Sequence, residues 1–376
     1  MTRRRIVHVI TGLGAGGAEH VLLRVASSMR RDRFENLVVS LLPEGPLAGR
    51  LRDAGIEVHA LGMAPGRPSP SALWRLTTLL RRWRPDVVQT WLYHADLMGA
   101  LATRLVRVPA LAWNLRASDM DMSRYPAHSR WTLTLCARLS GLPRMVVVNS
   151  EAGRRHHEQL GYQPRAWTVI PNGVDPSVFR PDPAARRAVR QEIGLPQDAP
   201  VVALIARRDA MKDHETFLGA AAMLADKRPD VWFLLAGEGV SPDSAEWRTL
   251  SDAAAGGARL IALGRRSDVP RLLAAADLST CSSISEGFPN VIIESMACGI
   301  PCVVTNVGDA AQIVGGTGIV VPPRSAEAMA GGWTELLALD EGERAARGAR
   351  ARERVIEHYS LDRMVSAYES LYDRLV

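Results

Sequence analysis

The run SEGFPNVIIESMACGIP, residues 285–301, holds two glutamates with seven residues between them. Glu286 stands before the turn-forming Gly287, Phe288 and Pro289, and Glu294 falls inside the apolar run that follows. Pro289 suits the first turn of a helix, where no N–H donor is needed. The pattern predicts a helix through Ile292 and Met296 to Gly299. The free N–H groups and partial positive charge at its start favour an anion such as a diphosphate. Glu286 would lie beside that anion, where a carboxylate accepts hydrogen bonds from a polyol. Glu294, one to two turns deeper, would take the paired hydroxyls of a ribose. Two carboxylates flanking a phosphate site, each with a diol to hold, describe a sugar nucleotide. Taken singly, Glu286 also reads as a turn residue and Glu294 as a solvated helix residue. The whole string is the more specific signal.

Such residues need a scaffold, and the chain supplies one twice. In the first half RIVHVI, NLVVSLL, IEVHAL, DVVQTW, ALAWNL, RMVVVNS and AWTVI are short, apolar and bounded by turn residues, which predicts strands. Helical patterns lie between them. In AEHVLLRVASSMRR, for example, Val21, Leu22, Val25 and Met29 share one face. Strands alternating with helices predict parallel βαβ units. VIPNGVDPSVFRPDP, residues 169–183, is rich in Pro, Asn and Gly and reads as a linker. The alternation then restarts with VVALIA, VWFLLAG, RLIALG, DLSTC, PCVVT and GIVVP. The last segment is amphipathic, with Leu361, Met364, Tyr368, Leu371 and Tyr372 on one side. The expected architecture is α/β, two Rossmann-like doubly wound lobes of residues 1–172 and 173–359, with a terminal helix over 360–376. Ligands of such sheets bind beyond the carboxyl ends of the strands.

The chain has 376 residues, 47% hydrophobic and 23% charged, a composition that fits two ordinary domains. Its apolar runs fall far short of the ~20 residues of a membrane helix. The basic start followed by RIVHVI lacks the h-region and cleavage site of a secretory signal. Cys136, Cys281, Cys298 and Cys302 contain no CxxC pair and read as buried reduced thiols of a cytoplasmic protein. The net charge of +6 is uneven. Residues 1–175 hold 24 Lys+Arg against 13 Asp+Glu, and the remainder 22 against 27. The basic half, including Arg3 to Arg5, Arg30, Arg31, Arg33, Arg81, Arg82 and Arg84, either faces an anionic membrane surface or is simply a solvated arginine-rich exterior. Nothing points to nucleic acid.

The Glu-x7-Glu string resembles the signature of the retaining family 4, or group 1, glycosyltransferases, which have the GT-B fold of two facing Rossmann-like domains. Other segments are similar to that family in the expected order. These are GLGAGGAEH and HADLMGALA in the first half, NGVD (Asn172 to Asp175) at the hinge, ALIARRDAMKDHETFLGAAAML, LLAGEG, LIALGRRSDVPRLLAAADL and the closing YSLDRMVSAYESLY. The resemblance covers nearly the whole chain. It implies that the first domain binds the acceptor, that the second binds the nucleotide sugar, and that the terminal helix crosses back to the first.

The resemblance makes Arg207 and Lys212 partners of the donor diphosphate, with Arg208 competing for the arginine role. Cleaving a glycosyl–phosphate bond builds charge on the leaving diphosphate, and fixed cations stabilise it. Lys212 is one of only two lysines among 46 basic residues. Glu286 would hold sugar hydroxyls and Glu294 the ribose. The backbone of Gly287, Phe288, Asn290 and Val291 would approach sugar and phosphate around Pro289, and Gly264 and Arg265 would lie near the base. His94 takes the place the family gives to a histidine against the donor sugar. Asp96, Asn114, Arg116 and Asp119 follow strands of the first half and would bind acceptor. Asp119 and Asp121 have Asp-x-Asp spacing but in the acceptor domain; the resemblance implies a family that generally works without a divalent metal, so they read as acceptor or structural residues and no metal cofactor is expected. Retention is implied by the family, through a front-face route with neither glutamate as covalent nucleophile. The partners implied are a UDP- or GDP-sugar and a lipid-linked or polysaccharide acceptor of cell-surface glycan synthesis, with peripheral attachment to the cytoplasmic face of the inner membrane.

Gly12, Gly14 and Gly17 spell GxGxxG after a strand, the dinucleotide fingerprint. The acidic residue that should follow the second strand is missing, and Glu44 comes too late. The loop is read instead as a glycine turn, with Gly16 and Gly17 letting backbone approach the donor sugar. Remaining alternatives are a sugar-nucleotide 2-epimerase of the same fold and a non-catalytic glycan-binding scaffold. A pyridoxal phosphorylase is disfavoured by the scarcity of lysine.

Overall fold

A computed structural model of the chain describes residues 3–14, 16–67, 69–116 and 127–376. They form two compact units, one of Met1–Asn172 with Asp362–Val376 and one of Gly173–Leu361.

In the first unit a seven-stranded sheet contains β1 (Arg4–Ile10), β2 (Phe34–Ser40), β3 (Glu57–Ala60), β4 (Val87–Trp91), β5 (Ala110–Leu115), β6 (Met145–Val148) and β7 (Trp167–Val169). The order is β3-β2-β1-β4-β5-β6-β7 and every pairing is parallel. The connections carry α1 (Gly17–Ser28), α2 (Leu47–Asp53), α3 (Pro70–Trp83), α4 (Tyr93–Val106), α5 (Ala127–Leu139) and α6 (Glu151–Gln159). Ile6, Val7, Val9 and Ile10 of β1 are all fully buried. A central parallel strand is covered on both faces, which is why its sequence is apolar without alternation.

The second unit repeats the plan. Its strands are β8 (Val201–Ile205), β9 (Trp232–Ala236), β10 (Arg259–Ala262), β11 (Leu278–Cys281), β12 (Cys302–Thr305) and β13 (Ile319–Val321), ordered β10-β9-β8-β11-β12-β13 and all parallel. Its helices are α7 (Pro183–Glu192), α8 (His214–Ala225), α9 (Ala245–Ala254), α10 (Val269–Ala274), α11 (Asn290–Ala297), α12 (Ala310–Val314), α13 (Ala326–Ala338) and α14 (Glu341–His358). A second core of Phe217, Phe233, Leu235, Met329 and Trp333 fills the space between sheet and helices. All thirteen apolar runs read from the sequence are strands. In each sheet the order reverses once, between β1 and β4 and between β8 and β11, and ligands favour such switch points.

Two chain segments run side by side where the units meet in sequence. Val174 N–H donates to Tyr359 O (2.9 Å) and Leu361 N–H to Val174 O (2.8 Å). The last helix, α15 (Leu361–Leu375), then packs within the first unit. Tyr368 and Tyr372 are fully buried there. Tyr368 stacks on Trp91 at 5.9 Å and accepts from Asn114 Nδ2 (2.8 Å), while Tyr372 donates to Gln89.

The acids of α15 take up part of the basic first half. Glu369 accepts from the backbone and side chain of Arg30, both at 2.8 Å, and Asp373 pairs with Arg4 (2.9 Å) and Arg33 (2.6 Å). Arg5 lies over the Trp83 ring at 4.3 Å. Four of the arginines expected to face a membrane therefore hold internal partners. All four cysteines are buried free thiols. Among the described residues no helix is long and apolar enough to cross a membrane.

Candidate active site

The loops that follow β8 and β11 lie side by side at the switch point of the second sheet. The first carries Arg207, Arg208 and Asp209 into a short 3-10 turn, Ala210–Lys212. Asp209 caps that turn by accepting from Met211 N–H at 2.9 Å, and its other oxygen accepts from Arg207 Nη2 at 3.0 Å. The Met211 bond, then Arg207, holds the Asp209 carboxyl below the usual range. Asp213 follows in the left-handed region at φ 48°, a conformation that Asp tolerates better than most residues. Its carboxylate caps α8 through Thr216. The left-handed step ends one helix at Lys212 and starts the next.

The second loop runs through Ser282, Ser283 and Ser285 to Glu286. Ser282 Oγ donates to Lys212 O (2.7 Å), and Ile284 N–H donates to Met211 O (2.9 Å). These bonds stitch the loops together and bring Lys212 Nζ onto Glu286 Oε1, an ion pair between residues 74 apart in sequence. Ser283 Oγ donates to the same oxygen at 2.7 Å. The pair remains partly open, with side chains 26% and 14% exposed. An ammonium and a carboxylate held this way offer a cation for a phosphate and an acceptor for hydroxyls.

Two glycines allow the loops to approach. A Cβ on Gly237, after β9, would lie 2.0 Å from Ala206 O, beside the start of the Arg207 loop. A Cβ on Gly308, at φ 55° after β12, would lie 2.3 Å from Glu286 O, and Asp309 N–H donates to Gly287 O at 3.1 Å. Neither glycine nor Ser283 nor Asp209 stood out in the sequence. Asp209, two residues after Arg207, carried the one available signal.

The remaining expectations are placed as follows. Arg207 is an open side chain, 66% exposed, and it pairs with Asp209. Arg208 is turned towards α9, 3.8 Å from Glu246. Pro289 is the N-cap of α11, one position earlier than expected, and the helix ends at Ala297 before Cys298 and Gly299. Asn290 and Val291 form its first turn and Glu294 lies half-buried one turn on. The Phe288 side chain belongs to the core, edge-on to Tyr359 at 5.7 Å, so only its backbone is available to a ligand. Gly264 adopts φ 67° beyond β10, and Arg265 is exposed beside it.

In the first unit, Gly16 is the N-cap of α1 and Gly17 its first residue. Glu19 folds back over Gly16, whose Cβ would meet its Oε2 at 2.4 Å. A carboxylate thus covers the place a pyrophosphate takes in dinucleotide folds. His94 is half-buried in the first turn of α4, beyond β4. Leu92, just before it, holds φ 73°, a costly conformation for a branched side chain.

The expectations for Asp96 and Asn114 as acceptor ligands need correction. Asp96 is fully buried and bound by Thr90 Oγ1, and burial pushes its carboxyl well above the ordinary range. Asn114 is fully buried against Tyr368. Both side chains support the sheet and α15 instead of facing an acceptor. Arg116 is tied to Asn172 and Tyr368. Asp119 and Asp121 lie outside the described residues.

Two parallel-sheet α/β units, with charged and glycine-rich loops at their switch points, are the architecture of the GT-B class. The comparisons then fix the family. Residues 185–354 match the family described as glycosyl transferases group 1, and residues 15–178 match glycosyltransferase family 4. The chain is 30% identical over 304 residues to 2-deoxystreptamine glucosyltransferase of Streptomyces kanamyceticus, covering 76% of this chain and 75% of that one. It is 25% identical over 315 residues to the Escherichia coli UDP-Gal:alpha-D-GlcNAc-diphosphoundecaprenol alpha-1,3-galactosyltransferase, covering 81% and 79%. Among solved structures, Anabaena HepE in complex with UDP superposes with a TM-score of 0.85 at 24% identity, over 98% of this chain and 100% of that one. The protein belongs to the family 4, group 1 glycosyltransferases and is an enzyme of the glycosyl-transferring class.

Proposed function

We propose that the enzyme moves a sugar, with retention of configuration, from a UDP- or GDP-sugar to a hydroxyl of a lipid-linked or polysaccharide acceptor in cell-surface glycan synthesis. The observation that carries this reading is the Lys212–Glu286–Ser283 cluster at the switch point of the second sheet. Lys212, with Arg207 beside Asp209, stabilises the leaving diphosphate as the bond from the anomeric carbon to the phosphate oxygen breaks. Glu286 is held by Lys212 and Ser283, so it serves as a hydroxyl acceptor and not as a covalent nucleophile. Glu294 holds the ribose, and Gly264 and Arg265 flank the base. In a front-face transfer the acceptor oxygen bonds the anomeric carbon, and its proton passes to the departing phosphate oxygen. The products are the glycoside and the nucleoside diphosphate.

The relative acting on a diphosphoundecaprenol-linked sugar supports a lipid-linked acceptor, and HepE bound to UDP supports a uridine donor. Reaction on such an acceptor places the enzyme peripherally at the cytoplasmic face of the inner membrane. The cationic side chains make a divalent metal unnecessary.

A thermal-shift panel of UDP, GDP and their sugars tests the donor, since a ligand of the native state raises Tm. A UDP-sugar is expected to stabilise most and to yield a product with the donor's anomeric configuration by NMR. Stabilisation by none of them, or an inverted product, would overturn the reading.

A further inference from the structure

Large apolar side chains are unevenly exposed among the described residues. Trp74 on α3, Leu101 and Leu105 on α4, and Trp131 and Leu135 on α5 are 67%, 47%, 59%, 74% and 41% exposed. The helices are neighbours, with α4 packed against both α3 and α5. Each already buries an inner face: Leu76 and Leu80, Ala100 and Ala102, and Leu133 and Cys136 belong to the core. Leu101 and Leu105 are one turn apart, as are Trp131 and Leu135, so they form outward stripes. An amphipathic helix of a solvated surface is polar on that side, and clustered outer apolar groups mark an interaction site.

The exposed charged residues of these helices have one sign. Arg81, Arg82, Arg104, Arg130 and Arg138 are exposed, and among the described residues none of them is paired with a carboxylate. The one carboxylate in the three helices is Asp96, which is fully buried. Where α3 and α4 end, Arg81, Arg84 and Arg107 line a cavity of about 360 Å³ with Val106 and Val108. Asp86 also lines it, but accepts the Arg5 N–H at 2.8 Å. These arginines contrast with Arg4, Arg30 and Arg33, which are taken up by α15.

We infer that the outer face of α3, α4 and α5 docks on an anionic lipid bilayer, with Trp74, Trp131, Leu101 and Leu105 entering the interface and the arginines meeting lipid phosphates. Tryptophan favours the headgroup level. Arginine stems lie along apolar surface while their guanidinium groups reach anions. A second copy of the chain fits poorly, because a two-fold contact would press the arginine face onto itself. The inference rests on the membrane placement proposed above and is independent of the donor assignment.

Vesicle sedimentation at low salt tests it, comparing phosphatidylglycerol–phosphatidylcholine vesicles with phosphatidylcholine alone. The wild type is expected to bind only the anionic vesicles. The double variants Trp74→Ser/Trp131→Ser and Arg104→Glu/Arg138→Glu should each lower the partition coefficient by about tenfold or more. Their Tm should stay within about 2 °C of wild type, since the side chains lie outside the core. Brominated acyl chains should quench wild-type tryptophan fluorescence more than that of Trp74→Phe/Trp131→Phe. Wild-type binding that both double variants retain would overturn this docking face while leaving membrane association standing. Indifference of the wild type to both vesicle types would overturn the two together. A wild-type dimer in sedimentation equilibrium that Trp74→Ser/Trp131→Ser dissociates would assign the face to self-association instead.

Discussion

Replacing Lys212 by alanine should slow turnover about 10²-fold at saturating donor. Its side chain is 26% exposed and that of its partner Glu286 14%, an environment between bulk water and a dry interior. At an effective dielectric constant near 20, two unit charges about 4 Å apart interact by about 4 kcal/mol. Only the part that grows as the leaving diphosphate gains charge accelerates the reaction. Glu286 already neutralises much of Lys212 in the ground state, so the differential part is smaller than the whole. Removing one fixed donor from a developing anion typically costs about 10²–10³ in kcat, or roughly 3–4 kcal/mol, and the partial exposure selects the lower end.

The assay is release of nucleoside diphosphate from the sugar nucleotide that raises Tm most, with donor Kd measured separately by calorimetry. The fold should survive Lys212→Ala, because Glu286 keeps its bond from Ser283 and some access to water. Lys212→Arg should recover part of the rate, since charge returns but the planar guanidinium fits the site differently. If Lys212→Ala keeps kcat within about threefold of wild type, the leaving-group role is wrong, whatever happens to Kd.

Gly237→Ala should lower Tm and weaken donor binding, because its Cβ would lie 2.0 Å from Ala206 O and push on the Arg207 loop; an unchanged Tm in a fluorescence melt would contradict that packing. Burial lowers the pKa of His8 and His157 to about 4 each from 6.5. Both are therefore neutral in the native state, and the stability this confers is full above pH 6.5 and lost progressively as pH falls towards 4. Each would account for about 3 kcal/mol over that window, so Tm should fall steeply there. The fall should be shallower in His8→Gln, and equal slopes would refute the linkage. Activity should persist in excess EDTA; loss on chelation and recovery with magnesium or manganese would direct attention to Asp119 and Asp121.

The fold was readable because both sheets are parallel and covered on both faces. Inner strands such as β6, β8 and β9 are then unbroken apolar runs, and the strands of each sheet end on the same edge. The family resemblance assigned both Lys212 and Glu286 to the donor without showing that they touch. Ser283 was not readable as the second donor to Glu286, since a serine-rich loop has no distinctive spacing. Gly237 and Gly308 are required by neighbours far away in sequence, and only their tertiary contacts show why. Asp96 is different, because its true place was written in α4. Gly99, Ala100 and Thr103 at +3, +4 and +7 put it on the small-residue face that meets the sheet, where a Cβ on Gly99 would lie 2.3 Å from Thr90. Position after a strand end predicted an open site, and helix phase overrode it.

The surplus of arginine in the first half divides by the same kind of reasoning. Charge counting treats all its basic residues alike, although the chain end supplies carboxylates to some of them. Glu369 is only 4% exposed and is held by Arg30 on both oxygens. Breaking that contact by Glu369→Ala would leave Arg30 mostly solvated but remove the anchor that fixes α15 over Trp91 and Gln89. Arg104 and Arg138 have no comparable partner among the described residues, and their neighbours on the outer face are apolar. Folding has thus consumed one group of arginines and left another exposed in a setting where salt should weaken whatever anion they meet. The two groups should therefore respond oppositely to perturbation: Glu369→Ala should shift Tm and leave anionic-vesicle binding intact, whereas Arg104→Glu/Arg138→Glu should weaken that binding about tenfold or more with little change in Tm.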